Sequence, residues 1–135
     1  MAINKFNKSL SKYLLRRYKT SLRGFNYKNL PTYVCSDENR VFTFPCDIDL
    51  MFRFIGERLV IARIGFETRR AGNGRDLLRF LSSQSELTGH KYIELESVSK
   101  MGRSFGYKYG FSDLGKGNLG ISVFALKQNL EMYNT

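Results

Sequence analysis

Apolar residues first recur at helical spacing. Phe6, Leu10, Tyr13, Leu14 and Tyr18 follow at three- and four-residue steps, Leu22 extends the stripe, and basic residues occupy the other faces. This period predicts a helix over residues 4–20, with Asn7 or Ser9 as its cap and Gly24 as its stop. Pro31 argues against helix in the residue before it. The pattern then becomes β-prone. Residues 32–35 and 41–44 read as short strands around the polar turn Ser36-Asp37-Glu38-Asn39. Leu50–Ile55 and Leu59–Phe66 flank Gly56-Glu57 and read as a hairpin. Gly65, late in the second run, suits a bulge or a close approach to the backbone.

Downstream, Leu77, Leu78, Phe80 and Leu81 fall within a helix from about Gly74 to Leu87, with Gly89 at its C-terminal end. Lys91–Val98 reads as a strand. Ser99 caps a short helix carrying Met101, Phe105 and Tyr109 on one face, ended by Gly110-Phe111. After a turn at Gly115-Lys116-Gly117, Leu119–Leu126 reads as the last strand, and the tail Lys127–Thr135 as loose at its end. The order predicts a mixed α/β sheet of the α+β type with helices on its faces.

At 135 residues the chain fits one domain, with 42% hydrophobic and 14% aromatic residues, which excludes wholesale disorder. It has no apolar run near the ~20 residues of a membrane span. Its start, MAINKFNKSLSKYLL, has no apolar leader core. A cytoplasmic location is therefore expected, with Cys35 and Cys46 as free thiols. A tetrahedral zinc site wants about four ligands; with two cysteines and one histidine no metal is expected. His90 follows Gly89 at a helix end and is expected at the surface. The net charge of +10 is uneven: residues 1–30 hold Lys5, Lys8, Lys12, Arg16, Arg17, Lys19, Arg23 and Lys28 and no acid, whereas the rest holds 14 basic and 12 acidic residues. Such a block suits a polyanion.

The segment Ile64–Arg75, IGFETRRAGNGR, runs from a strand through a loop with Gly72 and Gly74 straight into a helix. The first amides of a helix have no internal partners, and that end carries about half a positive charge. Glycine lets phosphate oxygens approach the backbone, and Arg69, Arg70 and Arg75 add charge around the mouth. A diphosphate is the natural guest. No GK[ST] follows, so this is not a P-loop. Leu77 stands where the dinucleotide pattern needs its third glycine.

The segment resembles motif A of the GNAT N-acyltransferase superfamily, [QR]-x-x-G-x-[GA], with Arg69, Gly72 and Gly74 at the defined positions. The resemblance spans Leu59 to Phe111: Ile64 eight residues before the first glycine, the paired Leu77-Leu78, the Gly89 turn, the strand KYIELESV and the closing Gly110-Phe111. It implies a single GNAT-like domain over 1–135, with a basic N-terminal segment (1–30) and an acyl-CoA-binding core (59–111). The implied fold is a mostly antiparallel mixed sheet with helices on both faces. Acetyl-CoA is the implied cosubstrate, its diphosphate on the amides of Arg70, Ala71, Gly72, Asn73, Gly74 and Arg75, and its pantetheine beside Ile64, Gly65 and Phe66 where two central strands splay. An acceptor amine would attack the thioester directly.

The pattern also departs from the family. Asn73 stands where an aliphatic residue is common. Gly106 stands at the usual tyrosine position, with Tyr107 one step on, and Tyr109 shares the Phe105 face. Ser99 and Gly102 replace the usual Asn and Ala. Ser99, Gly102 and Gly106 form one small-residue face, which reads either as clearance for the CoA arm or as close helix-on-sheet packing. Glu94 and Glu96 share one strand face, and Glu96, nearer the strand's end, is the candidate base. Tyr107 or Ser99 is the candidate near the sulfur. Family members border the acceptor site with N-terminal helices, so the basic block and its aromatics Tyr13, Tyr18, Phe25 and Tyr27 favour a polyanionic or RNA-borne acceptor; a protein lysine is the other acceptor considered. Nothing in the pattern demands a homodimer, though the last strand or first helix would permit one. The expectation is an N-acetyltransferase acting on a primary amine. The alternative is an inactive GNAT-fold module that binds nucleic acid or another polyanion through its basic N-terminal segment.

Overall fold

The computed structural model of the chain describes residues 2–18, 34–43, 48–66, 72–96 and 98–132. Arg69, Arg70 and Ala71, like Leu22, Gly24, Phe25, Tyr27, Pro31 and Cys46, lie outside them. Helix α1 (Ala2–Tyr18) leads into strands β1 (Val34–Ser36), β2 (Arg40–Thr43), β3 (Ile48–Ile55) and β4 (Arg58–Phe66). Helices α2 (Asn73–Ser83) and α3 (Ser85–Thr88) precede β5 (Tyr92–Leu95), and α4 (Lys100–Lys108) precedes β6 (Ser112–Gly115), β7 (Asn118–Ser122) and α5 (Val123–Glu131).

The strands form one seven-stranded sheet in the order β1-β2-β3-β4-β5-β7-β6. All neighbours are antiparallel except β4 and β5, a parallel pair that needs a crossover and receives it from α2 and α3. The β3–β4 hairpin turns at Gly56 with φ +58, backbone that glycine adopts without Cβ strain. Its register shifts once, with Met51 facing Arg63 and Phe52 facing Ile61, so Ala62 is the extra residue. The expected bulge at Gly65 is thereby corrected: Gly65 pairs in register with Asp49.

One sheet face carries the core. Phe52, Ile61, Leu95 and Leu119 are cross-strand partners in turn and all are buried. Helix α1 lays Phe6, Leu10 and Leu14 on this face; the Phe6 ring meets Phe52 at 5.6 Å and Phe54 at 5.1 Å edge-on, and Tyr13 stacks on Phe80 of α2 at 4.3 Å. Each such ring or leucine removed from water contributes about 1.5–3 kcal/mol. The opposite face carries the ion pairs Arg58–Glu94, Arg63–Asp49 and Arg53–Glu96.

Two sequence expectations change. The run after Leu119, expected as strand to Leu126, stops being strand at Ser122, whose hydroxyl accepts from Ala125 N–H and caps α5; Val123, Leu126 and Leu130 are buried at i, i+3, i+7, and the helix runs as far as Glu131, the last residues of the tail lying outside those described. His90, expected at the surface, is buried at 3% exposure, with Nε2 against the Leu81 carbonyl and Nδ1 against the Thr88 hydroxyl. Among the described residues no helix is long and apolar enough to cross a membrane.

Candidate active site

β4 and β5 run together only from Arg58–Tyr92 to Ile61–Leu95. Glu96 N–H still reaches the Ile61 carbonyl (3.1 Å); then the two part. β4 continues to Phe66 because β3 pairs with it along its whole length. The chain after β5 is drawn toward the β6–β7 turn, where Val98 N–H donates to the Gly117 carbonyl (2.9 Å). The divergence opens a cleft of about 250 Å³. One wall is Ile61, Ala62, Arg63 and Ile64; the other is Leu95, Glu96 and Val98, and Ser99, Gly102 and Phe105 of α4 close the end. On the β5 side, no described strand lies beside β4 beyond Ile61, so that backbone edge is left for another extended chain.

Glu96 stands at this opening on the face with Arg53, whose guanidinium reaches across β4 to form an ion pair and hydrogen bond with Oε1. Both side chains are half-buried, at 34% exposure, and the Arg53 Nε is buried without a partner among the described residues. Glu94, two residues earlier, is taken up by Arg58 at 3.1 Å. Ser99 caps α4, its Oγ accepting from Gly102 N–H at 3.1 Å, which leaves its own O–H to donate at the cleft.

The two halves of the small-residue face do different things. A Cβ at Gly106 would lie 2.7 Å from Leu119 Cδ1 and 3.2 Å from Leu95 Cδ1, so this glycine allows α4 to press on the sheet. Gly102 lines the cleft and provides room there. Tyr107 falls on the outer side of α4, half exposed, with its hydroxyl facing Arg103 at 3.5 Å, and is not among the cleft-lining residues; Tyr109 is core, edge-on to Phe105. The physical reason is the helical step: with Gly106 against the sheet, the next residue is turned about 100° away.

At the adjoining end, Gly72 precedes α2 with φ +94, a conformation glycine tolerates, and its carbonyl accepts the first helical N–H from Asp76 (2.9 Å). Gly74 faces α4: a Cβ there would meet the Phe105 ring at 2.7 Å, so the first turn of α2 abuts the residue that closes the cleft. Asn73 is buried, and its Oδ1 accepts from Arg17 Nη2 at 3.1 Å. Arg17 Nε also lies 3.3 Å from Asp76 Oδ2, and the Tyr13 hydroxyl donates to that same oxygen at 2.6 Å. Sequence reading missed Arg17 and Tyr13 as neighbours of this turn, because the pairings span 56 and 63 residues. Arg75 stands in the same turn. Ile64 lines the cleft, with Gly65 and Phe66 next along β4.

No family model and no curated protein matches the sequence. Solved structures do match in shape. GCN5 from Tetrahymena superposes with a TM-score of 0.52 at 11% identity, covering 88% of this chain and 87% of that one. A chain of the AtaT–AtaR complex bound to DNA gives 0.50 at 9% identity, with 84% and 83% covered. A mutant AtaT toxin bound to the C-terminus of the antitoxin AtaR gives 0.50 at 10% identity, with 93% and 84% covered. At these identities the likeness is one of fold, which the chain shares with these structures.

Proposed function

We propose that the chain is an N-acetyltransferase that moves an acetyl group from acetyl-CoA to a primary amine. The observation that carries this reading is the parting of β4 and β5 into a cleft whose far end abuts the first turn of α2. In this reading the edge of β4 at Ile64, Gly65 and Phe66 that faces the cleft receives the pantetheine amides. The diphosphate lies on the segment from Arg70 to Arg75, with Arg69 beside it. The glycine conformation at residue 72, and the first-turn amides that a helix cannot pair internally, support that seat.

The chemistry follows from what borders the cleft. The amine nitrogen attacks the thioester carbonyl, a C–N bond forms and the C–S bond breaks. Glu96 takes the amine proton through a water, and Arg53 fixes its carboxylate. The Ser99 hydroxyl donates toward the leaving sulfur, a role for which Tyr107 stands on the wrong side of α4. Catalysis is then mostly placement of reactants beside a fixed base and a hydrogen-bond donor to the leaving thiolate, which takes its proton from water. Glu96→Gln is expected to lower the rate of CoA release on a panel of amine acceptors about 10²-fold or more while leaving acetyl-CoA affinity unchanged. Calorimetry with the full chain tests the donor: binding that Gly72→Glu abolishes supports the reading, because a carboxylate would occupy the diphosphate seat. No heat at millimolar acetyl-CoA removes it.

A second reading, a module that binds nucleic acid through its basic N-terminal segment without transfer chemistry, has its own observation. Lys5, Lys8, Lys12 and Arg16 are exposed along one side of α1, and none has an ion-pair partner among the described residues. Turnover of acetyl-CoA on any acceptor counts against this reading. If both activities are present, the stripe serves the acceptor side of the first reading.

A further inference from the structure

We infer that Arg17, held with Tyr13 on α1, is a positioning residue for the donor seat: it holds the Asp76 carboxylate on the α1 side, so that this charge does not compete with the diphosphate at the N-terminus of α2. The inference rests on the acetyl-CoA reading above and goes beyond it, since neither residue belongs to the glycine-loop motif. The argument starts from an electrostatic conflict. Asp76 is the one acid in the first turn of α2. A carboxylate there interacts favourably with the helix end, as a bound phosphate would, so the two compete for the same partial charge and repel each other. The structure holds this carboxylate on the α1 side. The Tyr13 hydroxyl donates to Oδ2 at 2.6 Å and Arg17 Nε lies 3.3 Å from the same oxygen. The same guanidinium donates through Nη2 to Asn73 Oδ1 at 3.1 Å, so one side chain grips the first and fourth residues of the helix. Asn73 is buried, with 4% exposed. The polar residue between the two glycines is thus accounted for by a partner on α1.

The test is calorimetry of the full chain with CoA, and with pantetheine as the phosphate-free control, on the unmodified chain, Arg17→Gln, Asp76→Asn, the double variant and Tyr13→Phe, with thermal melts of each. Arg17→Gln is expected to weaken CoA about tenfold, the effect of an unneutralised like charge near phosphate at a protein surface, and to leave pantetheine unchanged. Asp76→Asn is expected to bind CoA at least as well as the unmodified chain. The double variant is expected to recover to within about twofold of Asp76→Asn, because no carboxylate remains to be tied back. Tyr13→Phe should lose CoA affinity in the same direction and by less. If Arg17→Gln does not melt cooperatively, Asp76→Asn and Tyr13→Phe carry the test. The inference is overturned if Asp76→Asn weakens CoA, if Arg17→Gln weakens pantetheine equally, or if the double variant stays as weak as Arg17→Gln. Absence of CoA binding by the unmodified chain is a different result: it removes the donor reading, and this inference with it.

Discussion

A methyl group added at Gly106 would intrude on two buried leucines, Leu119 and Leu95, whereas at Gly102 the nearest atoms are Val98 Cβ at 3.3 Å and Ser99 Oγ at 3.5 Å, beside open cleft. Two glycines four residues apart on one helix therefore answer to different demands. Gly106→Ala is expected to cost about 1–3 kcal/mol of stability through overpacking. Gly102→Ala is expected to change stability by less than about 1 kcal/mol, helix propensity offsetting the crowding, and to weaken acetyl-CoA instead. Thermal melts and calorimetry on the same two variants check this; a Gly102→Ala protein that melts early and binds normally would contradict it. His90 is a second residue whose surroundings set its behaviour. Burial lowers its pKa, the Leu81 carbonyl opposes that, and Lys127 adds to it. A base with a depressed folded pKa binds fewer protons than the unfolded chain below about pH 6.5. The His90 contribution is therefore full above that pH and is lost as pH falls toward the folded value. Melting temperatures from pH 7.5 to 5 should fall, and fall less in His90→Gln; equal slopes would contradict the assignment.

Among the elements, local signals were legible where one stretch of chain decides its own structure. The three- and four-residue steps of Phe6, Leu10, Tyr13 and Leu14 give α1, Gly89 takes the left-handed C-cap with φ +79, and Ser99 caps α4. What was not legible depends on partners far along the chain. β5 ends at Leu95, not Val98, because Val98 is bonded to the β6–β7 turn, and that early ending makes the cleft. The grip of α1 on α2 is equally non-local. The switch from β7 to α5 was hidden inside a continuous apolar run, although Ser122 and the spacing of Val123, Leu126 and Leu130 carried the signal. The basic side of α1 belongs to this scale too. Combined Lys8→Glu, Lys12→Glu and Arg16→Glu should leave the melt nearly unchanged, since these side chains are exposed. If the stripe binds single-stranded nucleic acid, the slope of log K against log salt should shrink by ~0.7 for each phosphate that the variant no longer neutralises. Unchanged affinity and slope would remove the second reading.

Over the whole molecule, charge and shape divide the labour. The described acids are largely engaged by arginines and a lysine on the sheet's open face, on its loops and at the start of α2, while the sequence up to Ser36 has no acid at all. The net +10 is thus concentrated at one end of the chain, with Arg17 turned inward to the α2 terminus and Lys5, Lys8, Lys12 and Arg16 turned outward. The sheet's one parallel pair is where the strands separate, so the same topology that requires a crossover helix also brings that helix's N-terminus to the opening. The single most direct measurement is a crystal structure of the chain with acetyl-CoA. The account predicts the diphosphate against the backbone amides of Gly72 to Arg75, the pantetheine alongside Ile64 to Phe66, and the thioester between Ile61 and Ser99 within reach of Glu96. Acetyl-CoA bound elsewhere, with the cleft between β4 and β5 left empty, would contradict it.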